Sequence, residues 1–166
     1  MATERTLERT QTIEAPLPEV FDFFSNAENL QALTPPFLGF KILSELPIDM
    51  KEGARIEYSI RLFGIPIRWS TLISTWEPGV RFVDEQQKGP YALWHHTHEF
   101  EADGDRTIMR DVVRYREPLG FLGTLANALF VKRTLRRIFD YRRDAVAKYL
   151  GNRDQPVVPL KEVSHG

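Results

Sequence analysis

From residue 37 to residue 117 the chain returns again and again to an alternation of apolar and polar residues. After Pro118 that alternation gives way to a 3.6-residue period lasting to residue 150. Period two describes strands with one covered and one wet face, and period 3.6 describes an amphipathic helix, here of roughly nine turns. A meander of strands followed by one long helix predicts an α+β fold in which a curved antiparallel sheet wraps the helix. Such a wrap rarely fills completely, so a cavity between sheet and helix is expected.

The strands can be placed one by one. Residues 5–14 read as the first, FLGFKILSEL (37–46) as the second, and Phe63-Gly64 as a two-residue hairpin loop between the third and fourth. That loop sets Leu62 opposite Ile65, Ile60 opposite Ile67, Tyr58 opposite Trp69 and Ile56 opposite Thr71, while Arg68 and its polar neighbours face outward. VRFVDEQQK, YALWHHTHEFEA and DRTIMRDVVRYRE complete a sheet of seven strands. Taking Asp103-Gly104 as the last hairpin loop pairs His96 with Asp111, His98 with Met109 and Trp94 with Val113. Charged residues crowd the opposite face, so Trp94, His96, His98, Phe100, Met109, Asp111, Val113 and Tyr115 should point inward and His95 outward.

Between the first two strands lie two short helices. One begins near Pro18 and carries Val20, Phe21 and Phe24, and the other follows Asn26 with Leu30 and Leu33 and ends at Pro35-Pro36. On the long helix Leu122, Leu125, Leu129, Leu135, Ile138, Ala145 and Tyr149 approximate an apolar stripe. Lys132, Arg133, Arg136, Arg137, Arg142 and Arg143 fall around the remainder, and Gly151 is a natural stop. One domain over 1–150 and a loose tail over 151–166 is the expected organisation.

Composition excludes several functions. A net charge of −1 gives no general attraction to nucleic acid or anionic membranes. With no cysteine there is no thiol nucleophile, disulfide or thiolate metal site. No secretory h-region and no stretch near the roughly 20 apolar residues of a membrane span is found, so a cytoplasmic protein without stable membrane insertion is expected. A homodimer is compatible with all of this.

Three stretches, IEAPLPEVFDFFSNAENLQALTPP, GPYALWHHTHEF and MRDVVRYREPLG, make residues 3–150 resemble the SRPBCC superfamily of START and birch-pollen-allergen-like proteins. The resemblance is strongest to its bacterial polyketide cyclase/dehydrase-like, ligand-binding branch. It implies a helix-grip fold around a hydrophobic cavity and, as function, binding of a lipid, quinone or aromatic polyketide. The superfamily also contains aromatase/cyclases and Rieske oxygenases, though a chain without cysteine carries no Rieske cluster.

The histidines admit three readings. His96, His98 and Asp111 form a two-histidine, one-carboxylate set that could converge on an ion, but HxH pairs are common by chance. The resembled branch does not generally use a metal here, so neither metal nor cofactor is expected. A cyclase or dehydratase would use His96 as general base oriented by Asp111, with Tyr58, Tyr115 and Arg68 as candidates to hold enol oxygens. The third reading is a buried pair that satisfies itself. The expected ligand contacts are Tyr58, Trp69, Trp94, His96, His98, Phe100, Asp111, Val113 and Tyr115, with Leu125 and Leu129 closing the pocket and the GFLGT stretch as its gate. An interaction module presenting the basic helix, through Arg136 and Arg137, is a further alternative.

Overall fold

In a computed structural model the described residues are 3–62, 64–118, 120–151 and 161–164, with side chains described outside 120–129 and 161–164. Strand β1 (Arg5–Ile13) leads into helices α1 (Leu17–Phe24) and α2 (Asn29–Leu33). Strands β2 (Lys41–Ile42), β3 (Arg55–Leu62), β4 (Ile65–Glu77), β5 (Arg81–Lys88), β6 (Leu93–Asp103) and β7 (Arg106–Arg116) follow. Helix α3 (Gly120–Leu150) and a short β8 (Lys161–Ser164) complete the chain. The sheet order is β2-β3-β4-β5-β6-β7-β1-β8, antiparallel throughout, so β1 closes against the last long strand and the meander curls into a grip.

The short helices form where expected. Val20, Phe21 and Phe24 are buried along α1, and Asn26 accepts the Glu28 N–H through its Oδ1 at 3.0 Å just before α2. The expected strand 37–46 shrinks to two residues. Pro36–Leu38 is instead a single 3₁₀ turn, and both Leu43 and Ser44 donate to the Glu57 carbonyl, an irregularity no continuous ladder allows. Residues 161–164, read as part of a loose tail, pair with β1 as an eighth strand.

The β3–β4 register agrees with the expected one, Tyr58 facing Trp69 and Ile56 facing Thr71. The β6–β7 register is shifted by two. Asp103 pairs with Arg106, His98 with Asp111, His96 with Val113 and Trp94 with Tyr115. Gly104, at φ +60°, is therefore the first central residue of the turn rather than the second. The shift aligns charges: Glu99 now opposes Arg110 at 3.1 Å, and Asp103 accepts from Arg106 at 2.9 Å. A slip of two keeps every side chain on its face, so the inward set survives with new partners.

Helix α3 crosses the concave face. Among its residues 130–150 the buried ones are Leu135, Phe139, Ala145, Val146 and Leu150, whereas Tyr149, placed on the stripe by sequence, is 54% exposed. The helix stops at Gly151, where an added Cβ would lie 2.9 Å from the Glu14 backbone nitrogen. Leu135 and Phe139 pack on Leu7, Val113 and Tyr115, while α1 packs through Phe21 and Phe24 on Phe100. The core is thus dense beneath β1 and β7. Under β3, β4 and β5 it opens.

Candidate functional site

The opening is a cavity of about 190 Å³, on the order of ten water molecules or one small organic molecule. Its walls are mostly apolar: Ile56, Ile60 and Ile73 from the sheet, Ala27 and Leu30 from the α1–α2 segment, and Leu135 and Ile138 from α3. One end is an aromatic box. Trp69 stacks on Tyr58 with centroids 5.8 Å apart and meets Trp94 edge-on at 5.5 Å, and Tyr91 closes the group at 4.9 Å from Trp94. The Gln86 side chain holds Tyr91 in place, donating to its carbonyl at 2.7 Å and accepting its N–H at 3.1 Å. Trp69 Nε1 is buried with no hydrogen-bond partner among the described residues.

The other end is polar. The β4–β5 ladder carries irregularities at Ser70/Thr71 and Ile73/Thr75, which bend the strands there. Asp84 on β5 sits opposite His96, and Phe82 opposite His98. The rings of Phe82, His98 and His96 form a stack, with centroid separations of 4.1 and 3.7 Å. His98 Nε2 lies 2.5 Å from Asp84 Oδ2, and His96 Nε2 lies 2.8 Å from Asp111 Oδ1. His96 Nδ1 is 3.5 Å from Asp84 Oδ2, and His98 Nδ1 is 3.3 Å from Asp111 Oδ1. From α3, Arg142 Nη2 reaches to 3.2 Å from His98 Nδ1 and 3.6 Å from Asp111 Oδ1.

These contacts fix the charges. Burial works against ionisation of Asp111, but Arg142 and the hydrogen bonds from both imidazoles outweigh it and hold the carboxyl well below its usual range. Burial likewise opposes ionisation of Asp84, and the two histidines and Arg142 still bring its pKa below the usual value. Burial, then the adjacent His98, pushes the His96 imidazole down, so its ring is neutral near pH 7. An ionised Asp111 only accepts, so His96 Nε2 carries the proton and its Nδ1 keeps a lone pair. Burial also raises the Tyr58 and Tyr91 phenols, which remain protonated donors.

Of the residues expected from sequence, Tyr58, Trp69, Trp94, His96 and His98 line the cavity. Phe100, Val113 and Tyr115 are buried in packed clusters under α1 and α3. Asp111 is buried beside the imidazoles as their partner. Arg68 faces outward, as its register requires. The side chains of Leu125, Leu129 and the GFLGT stretch read as a gate lie outside those described, while the backbone of that stretch is the first part of α3. Two charged residues were missed, along with Tyr91 of the aromatic box. Asp84 shares a strand face with buried Phe82 at i+2, and Arg142 falls on the Leu135–Phe139–Val146–Leu150 stripe of α3. Both signals are periodicities present in the sequence.

No family model and no curated protein matches the chain, but solved structures do. An aromatase/cyclase from Streptomyces sp. R1128 superposes with a TM-score of 0.69 at 17% identity, covering 88% of this chain and 93% of its own. A START superfamily protein from Mycobacterium smegmatis gives 0.65 at 14%, covering 87% and 99%. The architecture is a helix-grip fold, which this chain shares with both structures. A norcoclaurine synthase from Thalictrum shares it, with a TM-score of 0.64 at 12% identity and coverage of 90% and 98%. Identities this low establish the helix-grip fold and leave the chemistry to the site. Among the described residues no helix is long and apolar enough to cross a membrane.

Proposed function

We propose that the chain binds a small hydrophobic or amphipathic molecule, for carriage or sequestration, in the cavity between sheet and α3. The observation that carries this reading is the pairing of an aromatic box with an unpartnered buried donor, Trp69 Nε1. A buried N–H without a partner is unfavourable, and a ligand oxygen placed there relieves it. Among lipids, quinones and aromatic polyketides, aromatic walls of Tyr58, Trp69 and Trp94 favour flat, oxygen-bearing members. Native mass spectrometry of protein purified from its own host tests the reading. A retained small molecule supports it, and its displacement by Thr134→Trp, which fills the cavity from α3, confirms the location. Recovery of protein that is empty and takes up no apolar probe refutes it.

A second reading is a cofactor-independent cyclase or dehydratase. It is favoured by His96, a neutral imidazole on the cavity wall whose Nε2 is held by Asp111 and whose Nδ1 lone pair is free to take a proton. The aromatase/cyclase and norcoclaurine synthase among its structural neighbours lend this support. Turnover lost in His96→Gln with ligand binding retained would identify the enzyme. Unchanged turnover would exclude His96 as the base.

A further inference from the structure

We propose that Asp84, His96 and His98 form a binding site for one divalent transition-metal ion, zinc or ferrous iron, with its open coordination positions on the cavity. The candidate ligand atoms are Asp84 Oδ2, His96 Nδ1 and His98 Nε2, all within 4.8 Å of one another. Tetrahedral coordination at about 2.1 Å sets ligand atoms roughly 3.4 Å apart. His96 Nδ1 and Asp84 Oδ2 already stand at 3.5 Å. The His98–Asp84 contact of 2.5 Å has to open by about 1 Å to reach that spacing. Two imidazoles and one carboxylate suit zinc and ferrous iron, and discriminate against the hard calcium and magnesium ions.

Histidines that ligate a metal almost always hand their other ring nitrogen to a carboxylate or carbonyl. Here a single carboxylate, Asp111, lies 2.8 Å from His96 Nε2 and 3.3 Å from His98 Nδ1, the two nitrogens that face away from Asp84. Each imidazole therefore stands between two carboxylates, one on the cavity wall and one buried beyond it. A pair that merely satisfied itself would need only one.

Arg142 does not compete for the ion's position. Its Nη2 contacts His98 Nδ1 and Asp111, at the end of the His98 ring opposite Asp84. The ion takes the place of the His98 Nε2 proton, and Asp111 faces the opposite nitrogen of each ring. Asp84, His96 and His98 all line the cavity, so a further coordination position opens toward whatever the cavity holds. The site stands on its own geometry and does not depend on the ligand reading above.

The test uses the full chain, stripped with chelator and dialysed, and zinc chloride as titrant in calorimetry. One saturable equivalent is expected. Asp84→Asn should weaken binding at least 30-fold, and Asp111→Asn by about 10–100-fold through the loss of its hold on both rings. His95→Ala, on the outer face, should leave binding unchanged. Cobalt(II) added to the wild-type chain supplies a readout that needs no variant: intense visible d–d bands indicate low coordination with nitrogen ligands. No saturable binding, binding undiminished in folded Asp84→Asn, or a weak spectrum like that of hydrated cobalt overturns the site. Uptake of an apolar probe is measured separately in chelator, so failure of the metal site is distinguishable from failure of the cavity reading.

Discussion

Asp84 Oδ2 and His98 Nε2 meet at 2.5 Å although the two residues are not cross-strand partners. The carboxylate reaches diagonally from β5 while Phe82, the true partner, stacks its ring on the imidazole. The contact joins β5 to β6 at the bent part of the sheet and aims both polar groups at the cavity. Removing the carboxylate strands a buried imidazole donor. Asp84→Ala should therefore destabilise the chain by about 1–3 kcal/mol. Asp84→Asn, whose amide oxygen still accepts, should cost less than half as much. Urea unfolding at pH 7 measures both, and equal effects of the two variants would contradict the assigned tautomer.

Acid should weaken the fold in two stages. The folded His96 ring, lowered first by burial and then by His98, resists protonation below its ordinary value of 6.5, while the unfolded chain takes up the proton there. A depressed folded pKa means the contribution is present above about pH 6.5 and is lost as pH falls through the folded value. Asp84 and Asp111, both below 3.8 in the fold, add a second loss in the same direction at lower pH. Urea midpoints should decline from about pH 7.5 to about pH 5, and the decline should be shallower in His96→Asn. A midpoint that rises over this range would refute the neutral, buried imidazole.

How far the site was legible follows from how each residue announces itself. Tyr58 and Trp69 were placed correctly because the Phe63-Gly64 loop offers one sensible register, in which both apolar faces agree. The Asp103-Gly104 pair offers two that differ by two residues, and both keep Asp111 inward, so hydrophobic pattern cannot choose between them. Electrostatic pairing across the outer face, Glu99 with Arg110, decides it. Asp84 and Arg142 escaped because a charge in an amphipathic pattern is assigned to solvent by default. Each is held inward by the other polar groups of the cluster, and no single segment contains that information. The depth of the cavity under β3–β5 depends on the bends in β4 and β5, which no alternation of residues encodes.

The aromatic box should separate binding from stability. Trp69→Phe removes the indole N–H that has no partner among the described residues and keeps a ring against Tyr58 and Trp94. Loss of an unsatisfied buried donor offsets much of the lost packing, so the unfolding free energy should change by less than about 1.5 kcal/mol. Affinity for an oxygen-bearing aromatic probe should fall about tenfold, equivalent to roughly 1.4 kcal/mol, while a hydrocarbon probe is affected far less. Equal losses for both probes would show that the indole N–H takes no part in recognition.

Arg9 ties the far side of the sheet to α3. Its side chain is 4% exposed, its Nη2 lies 2.5 Å from Asp140 Oδ1, and its Nε and Nη1 find no partner among the described residues. On the sheet it neighbours Asp111, so it also adds positive charge beside the cluster. Asp140 is half exposed, and water can replace part of what it gives, which lowers the expected penalty from that of a fully buried pair. Asp140→Ala should destabilise by about 1–3 kcal/mol by leaving a buried guanidinium without its counterion. Arg9→Met keeps the apolar stem of the side chain and removes the charge. Combined with Asp140→Ala it should recover at least half of the loss, because the penalty arises from the stranded charge and not from the missing contact. Additive effects in that double-mutant cycle, read by urea unfolding, would mean that Arg9 is held by packing of its stem and that Asp140 is incidental to the fold.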